Sequence, residues 1–291
     1  MTTLLPTSAP SVVFPASAEV ASIISLALAE DIGRGDLTTE ATVPPGAAAT
    51  AEILQKAPGV VCGLPVVEAV FHTLDPRVVV EPLVAEGSHA THRRSVARME
   101  GPAAAILTGE RTALNFLQRL SGTATASRRA SELVEGTGAR VIDTRKTTPG
   151  VRVLEKYAVR VGGSSNHRAG LDDGFLIKEN HIRAAGSITA AVTRAQRRAA
   201  PGQVVEVEVT TLDELDEALR AGATLVLLDN FTIDLLRAAV AQTSGHARLE
   251  ASGGITFDNL ADVARTGVDF ISLGALTHSA GVLDFSLEVL V

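Results

Sequence analysis

Apolar residues recur at helical spacing from Ala18 to Glu30, where Val20, Ile23, Ile24, Leu26 and Leu28 mark a face, and the run stops at the glycine-punctuated turn EDIGRGDLTT. Beyond it the period shortens. ATAEILQKAPGVVCGLP alternates and RVVVEPL is β-branched, which predicts strands with turns at Pro58-Gly59 and Asp75-Pro76, while PVVEAVFHTL between them predicts a helix. Residues 1 to about 112 therefore read as an α+β arrangement with antiparallel strands.

After Gly109 the rhythm changes. ERTALNFLQRLSGTATASRRASELVEG reads as helix, and then the short apolar runs RVIDT, FLIKE, VVEVEVT, TLVLLDN, RLEASGG and DFISLGA follow, several separated by helical stretches such as TLDELDEALRAGA and IDLLRAAVAQ. Strand alternating with helix predicts parallel βαβ units. Both an open doubly wound sheet and a closed barrel fit that rhythm. The barrel is favoured because almost every predicted strand ends in a residue capable of chemistry: Asp143, Arg145 and Lys146; Lys178 and Asn180; Glu208; Asp229 and Asn230; Ser252, Gly253 and Gly254; Gly274. Groups spread over six strand ends converge only if the sheet closes, whereas an open sheet gathers its ligands at one switch point.

Composition narrows the picture. The 291 residues are 46% apolar with no Trp and a single Tyr157, so the core is aliphatic, as suits buried strands and packed helices. Cys62 is the only cysteine, which excludes an intrachain disulfide, and no neighbouring charge marks it as a nucleophile; it reads as a small buried hydrophobe. The N-terminal stretch has no Lys or Arg in its first twenty residues and carries prolines at 6, 10 and 15, so it reads as a frayed arm rather than a signal peptide. No apolar run reaches the ~20 residues that span a bilayer. A cytoplasmic protein is expected.

Charge points to the chemistry. The chain carries 26 Lys+Arg against 33 Asp+Glu, a net −7, yet Arg140 to Arg183 holds nine basic and five acidic residues, a local +4. A single basic focus on an acidic body fits a small, highly charged ligand and disfavours nucleic acid. Arg145, Lys146, Arg168 and Lys178 supply the counter-charge, two guanidiniums suited to carboxylates and two compact ammonium groups suited to phosphate. Arg152, Lys156 and Arg160, at i, i+4 and i+8, are assigned to a solvated helix face. His167 gains a hydrogen-bonding or acid role from its basic company, and His278, just past SLGAL, can donate to a phosphate; His72, His89, His92 and His246 have no such setting, and His181 is left open.

Gly253, Gly254 and Gly274 follow the last two predicted strands, where backbone amides can approach an anion without Cβ interference. Glu208 and Asp229 stand alone near strand ends and need a partner if desolvated, which a phosphate ligand with Mg²⁺ supplies. Glu206 alternates with Glu208 and would share its face, so the two are hard to rank. No zinc, Walker or dinucleotide fingerprint is present.

EDIGRGDLTT, ERTALNFLQRLSG, DTRKTTPG, LEKYAV, NHR, LIKENH, VEVEV, LLDN, ASGGI and LGALTHS, in this order from residue 30 to 279, resemble the quinolinate phosphoribosyltransferase family. The resemblance implies an α+β sandwich over 1–112 completed by 280–291, and an open seven-stranded α/β barrel, related to the TIM barrel, over 113–279. It implies conversion of quinolinate and phosphoribosyl pyrophosphate with Mg²⁺ to nicotinate mononucleotide, CO₂ and pyrophosphate in NAD synthesis.

It also assigns roles. Arg145, Arg168 and Lys178, with His167 close by and Arg111 from a neighbouring subunit, would hold the two carboxylates, and Lys146 would lie between the substrates. Glu208 and Asp229 would bind ribose hydroxyls and Mg²⁺, and Ser252, Gly253, Gly274 and His278 the phosphates. Active sites shared across a homodimer, with further assembly open, follow from that. Ser164 and Ser165 stand where glycine is frequent and Glu179 where aspartate is common, so the loop bearing His167 departs from the family pattern. Rival readings are a nicotinate phosphoribosyltransferase or the molybdenum-associated paralogue, a Schiff-base aldolase using Lys178 or Lys146, and a non-catalytic phosphosugar-binding barrel.

Overall fold

Ser17 opens the first helix, its hydroxyl oxygen accepting the Val20 amide at 3.3 Å, and α1 (Ala18–Ile32) then buries Val20, Ile24 and Leu28 along one stripe. The computed structural model describes residues 12–90 and 93–290; the first eleven residues of the expected arm, and His92, lie outside the described residues. The turn after α1 does not continue as a loop. Asp36 accepts the Thr39 amide at 3.0 Å and nucleates a further helix, α2 (Leu37–Thr42).

The chain divides into two compact units. One comprises Val12–Arg128, Thr147–Gly163 and the residues from Leu276 onward; the other comprises Arg129–Lys146 and Ser164–Ala275. These boundaries differ from 112/113 and 279/280: residues 113–128 and 147–163 group with the N-terminal elements.

In the first unit, β1 (Ala48–Gln55), β3 (Val79–Pro82), β5 (Arg94–Pro102) and β12 (Phe285–Leu290) form an antiparallel sheet in the order β12-β1-β5-β3, and β2 (Gly59–Val60) pairs with β4 (His89–Ala90). The C-terminal strand thus completes the sheet built by the N-terminal residues. Helices α3 (Leu64–Leu74), α4 (Ala103–Leu133) and α5 (Arg152–Val161) accompany it, and one aliphatic core unites Ile24, Ile53, Phe71, Met99, Leu117 and Tyr157. Cys62 is fully buried in that core, as its apolar surroundings predict.

Helix α5 corrects one expectation. Lys156 is only 4% exposed and Arg152 and Arg160 are half-buried, so the three do not form a solvated face; Arg152 donates from Nε to Thr147 Oγ1 at 2.9 Å. Their spacing of four places them together, but tertiary packing decides that this stripe turns inward.

The second unit is a parallel sheet of β6 (Arg140–Ile142), β7 (Phe175–Ile177), β8 (Val205–Val209), β9 (Leu225–Asp229), β10 (Arg248–Ser252) and β11 (Phe270–Ser272), ordered β6-β11-β10-β9-β8-β7. Among the described residues it holds six strands, against the seven that the resemblance implies. Each strand neighbours its successor except β6, which pairs with β11. On the other side of β6, Ser165 makes an isolated parallel bridge to Ile142. Helices α6 (Glu179–Ala185), α7 (Ile188–Arg198), α8 (Leu212–Arg220), α9 (Ile233–Thr243) and α10 (Leu260–Ala264) fill the connections.

Register separates the two faces of this sheet. Val141, Val207, Val226, Leu228, Leu249, Ala251 and Ile271 share one face, all buried, and α7 and α8 pack on the strands from that side with Val192, Leu215 and Ala218. The other face carries Glu206, Glu208, Asp229, Glu250, Ser252 and Ser272, with Asp229 and Ser252 in register and Leu225, Leu227 and Phe270 set between the polar groups. Its lower members are as well buried as the apolar face: Glu206 and Glu250 are each 1% exposed.

Candidate active site

Because the six strands are parallel, their carboxyl ends share one edge, and there the polar face ends in functional groups. Asp143, the first residue after β6, is fully buried and accepts Asn166 Nδ2 at 2.6 Å and the His167 amide at 2.8 Å. It acts as the anchor of the loop that bears His167 and Arg168. Ser164, where glycine is frequent in the resemblance, shares a 3.0 Å hydrogen bond with Ser131 in the last turn of α4. The substitution adds a tether to the same loop.

Arg168 donates from Nη1 to Gly174 O at 2.9 Å, while its Nε is buried with no hydrogen-bond partner. Burial, and then the positive charge of Arg145, hold its guanidinium below the usual arginine range. A buried guanidinium donor left without a partner is a place where an anion can be held. Lys146, beside Arg145, is exposed.

Lys178 follows β7 and its ammonium group pairs with the Glu208 carboxylate on β8. Its own amide donates to His181 Nδ1 at 2.9 Å, which gives the undecided His181 a role in fixing the start of α6. Asp229 ends β9, in register with Ser252 at the end of β10, and its Oδ2 accepts Asn230 Nδ2 at 2.8 Å. Asn230 sits at φ +58° and Gly253 at φ +89°; a Cβ on Gly253 would lie 2.3 Å from Asn230 Oδ1, so only glycine fits this approach. Gly274 opens a short 3₁₀ turn two residues beyond β11.

The structure thus assembles Arg145, Lys146, His167, Arg168, Lys178, Glu208, Asp229, Ser252, Gly253 and Gly274 in one unit, His167 and Arg168 on the loop that Asp143 anchors and the rest at or just past strand ends. Arg111 and His278 belong to the other unit. Arg111 is exposed on α4, and His278 is exposed with Nδ1 2.5 Å from Ser279 Oγ.

Sequence reasoning missed Glu250 and left Glu206 unranked. Glu206 Oε2 lies 2.9 Å from His167 Nε2, Glu250 Oε2 lies 3.6 Å from the same nitrogen, and Ser272 Oγ donates to Glu250 Oε1 at 2.5 Å. Burial pushes the Glu206 carboxyl up to about 7 and Glu250 well above the ordinary carboxylate range. Two-residue alternation back from Ser252 in RLEAS was the available signal. Among the described residues no helix is long and apolar enough to cross a membrane.

Comparison with known proteins follows the same outline. Residues 36–121 match the N-terminal domain of quinolinate phosphoribosyl transferase and residues 123–288 its C-terminal domain. A probable carboxylating nicotinate-nucleotide pyrophosphorylase of Bacillus subtilis is 44% identical over 260 residues, 89% of this chain and 90% of its own. The carboxylating nicotinate-nucleotide pyrophosphorylase of Mycobacterium leprae is 43% identical over 274 residues, 91% of this chain and 95% of its own. The solved nicotinate-nucleotide pyrophosphorylase of Francisella tularensis superposes with a TM-score of 0.90 at 42% identity, covering 94% of this chain and 96% of that one.

Proposed function

The chain belongs to the quinolinate phosphoribosyltransferase family, and from that premise we propose that it transfers the phosphoribosyl group of phosphoribosyl pyrophosphate to quinolinate, with decarboxylation, giving nicotinate mononucleotide, CO₂ and pyrophosphate for NAD synthesis. The observation that carries the reading is the buried, orphaned Arg168 Nε, whose guanidinium feels the charge of Arg145, in the unit where Lys178, Asp229 and Gly253 stand at strand ends. A diacid and a polyphosphate together need that much positive charge and that many approachable amides.

The fold reading extends to an open barrel. Glu206, Glu250 and Ser272 are buried on the polar face of the sheet, which a flat sheet would leave to solvent, and enclosure of that face fits strands curling toward closure. The isolated Ser165 bridge on the free side of β6 supports a seventh position there.

In the proposed reaction the pyridine nitrogen attacks C1 of the ribose as pyrophosphate departs, and the adjacent carboxylate is then lost with its electrons stabilised by the cationic ring. Arg145 and Arg168 hold the two carboxylates, with Lys178 oriented by Glu208. Lys146, between the substrates, offsets negative charge on the leaving oxygens. Ser252, Gly253 and Gly274 meet the phosphates, a role that the resemblance also gives to His278. Glu208 and Asp229 offer hard carboxylate oxygens on neighbouring strands, a donor set that fits Mg²⁺ and leaves positions for water and substrate oxygens. When bound there, Mg²⁺ would neutralise the pyrophosphate leaving group. The protein's own share is placement more than proton transfer.

A homodimer in which Arg111 reaches the neighbouring site, and a cytoplasmic location, belong to the same reading. Mixing Arg111→Ala with Lys146→Ala should then restore activity that neither variant has alone. The decisive assay supplies quinolinate, phosphoribosyl pyrophosphate and Mg²⁺ and measures nicotinate mononucleotide and CO₂, with nicotinate as the competing acid. Absence of product, or preference for nicotinate, would overturn the assignment.

A further inference from the structure

Glu206 and Glu250 lie deeper on the polar face than the residues given to substrate, and the proposed chemistry does not use them. With His167 they bring three metal-competent atoms within 4.8 Å of one another. One hydrogen bond argues against a cation there. The Arg168 amide donates to His167 Nδ1 at 2.7 Å, so that nitrogen bears no proton. A neutral imidazole carries one proton, which must then sit on Nε2, the atom that faces both carboxyls. A metal at Nε2 would demand an imidazolate ring.

The same reasoning fixes the carboxyl pair. Glu206 and Glu250 turn carboxyl oxygens to the same imidazole nitrogen, at 2.9 and 3.6 Å, and both are sealed from water, so two full negative charges would meet there unless one of the pair holds a proton. Ser272 donates to Glu250 Oε1 and His167 Nε2 donates to Glu206 Oε2. Glu206 takes the imidazole donor, so Glu250 is the member of the pair that holds the proton.

We propose that Glu250, as a neutral carboxylic acid, and Glu206 are positioning residues: a chain from Ser272 through Glu250, Glu206 and the His167 ring to the Arg168 amide fixes the peptide from which Arg168 meets the pyridine diacid. His167 is accordingly a neutral Nε2–H tautomer whose two nitrogens are used inside the protein. The inference rests on the quinolinate reading for its substrate and on the hydrogen-bond geometry for everything else.

The test compares Glu250→Gln with Glu250→Leu. Glutamine keeps the shape, donates to Glu206 and accepts from Ser272, so all kinetic constants should stay within about threefold of the wild type. Leucine removes both bonds, and the quinolinate KM should rise about tenfold or more while the phosphoribosyl pyrophosphate KM moves by less than about twofold. Equal rises in both KM values, or a glutamine variant as impaired as the leucine one, would overturn the proposal.

If the leucine variant does not fold, the wild-type ring still answers. Its ¹⁵N signals, identified by their loss in His167→Gln, should show a bare Nδ1 and a protonated Nε2; a doubly protonated ring or an Nδ1–H tautomer would refute the proposed chain. That measurement needs no substrate. Failure of the wild type to use quinolinate would therefore sink the functional reading without touching the tautomer.

Discussion

Glu155 in the unit with the antiparallel sheet and Glu250 in the parallel unit are both sealed from water, but they are satisfied in different ways. Glu155 Oε1 accepts Arg119 Nε at 3.2 Å, Arg119 Nη2 at 2.9 Å and Thr148 Oγ1 at 2.8 Å, while Oε2 accepts the Thr148 amide at 3.0 Å. Four donors, two of them from a full positive charge, replace water entirely. Glu250 has one serine hydroxyl and a second carboxyl for company, and Glu206 Oε1 has no partner at all. A carboxylate with a complete donor set builds structure; a set left incomplete beside an orphaned arginine nitrogen marks where a ligand or a shared proton is needed.

That contrast is broken most directly at its functional end. Lys146→Ala should lower turnover about 100-fold or more, the scale of removing one group that stabilises transition-state charge. Because Lys146 is exposed, its thermal midpoint should not move. Near-normal turnover would remove the chemistry from this edge of the sheet.

The structural end gives the next largest effect, in a different observable. Arg119→Leu strands Glu155 in the interior and also forfeits donors to Thr277 O and Ala280 O, so denaturant titration should show a loss of about 3–5 kcal/mol. Glu250→Gln, equally buried, should cost less than about 1.5 kcal/mol, because it keeps its hydrogen bonds and removes no ionised group. Equal losses at the two positions would erase the distinction.

Gly253→Ala tests the rim where backbone, not charge, is at issue. Its left-handed φ and the contact with Asn230 Oδ1 should cost about 1–3 kcal/mol of strain and raise the phosphoribosyl pyrophosphate KM more than that for quinolinate. An unchanged KM would separate the glycine from phosphate binding.

How far this contrast can be read from the chain depends on which residues report locally. VEVEV and LLDN show their carboxylates against apolar neighbours, and all six parallel strands are visible as short apolar runs ending in polar or glycine residues. RLEASGG hides Glu250 because Leu and Ala flank it, although it faces the same way as Ser252. RSVARMEGP, the long central strand β5, has too little alternation to stand out. Helix α2 was lost in a glycine-bearing turn, although Asp36 was present as its cap. Lys156 repeats at solvent-like spacing and is nonetheless buried. The His167 tautomer depends on Asp143, Glu206 and the Arg168 amide, groups brought together only by the closed chain.

Asp75 sharpens the comparison by supplying a full donor set at partial burial, its side chain 18% exposed. In a surface turn, Arg77 donates from Nε to Oδ1 at 3.0 Å and from Nη2 to Oδ2 at 2.6 Å, and its amide adds a third bond to Oδ1 at 2.9 Å. The side-chain and amide hydrogen bonds from Arg77 hold the carboxyl down at about 2, below its ordinary 3.8. A folded-state value below the unfolded one favours the folded protein above pH 3.8, and that contribution is lost as pH falls through about 2. Solvent screens the pair, so the effect on stability is the smallest of the series, and the readout is the carboxyl itself. Its ¹³C resonance should titrate near 2 in the wild type and return to the ordinary aspartate range in Arg77→Ala. A titration unmoved by that substitution would mean that donor count without full burial does not set the state of a carboxylate, and that depth alone separates Glu155 from Asp75.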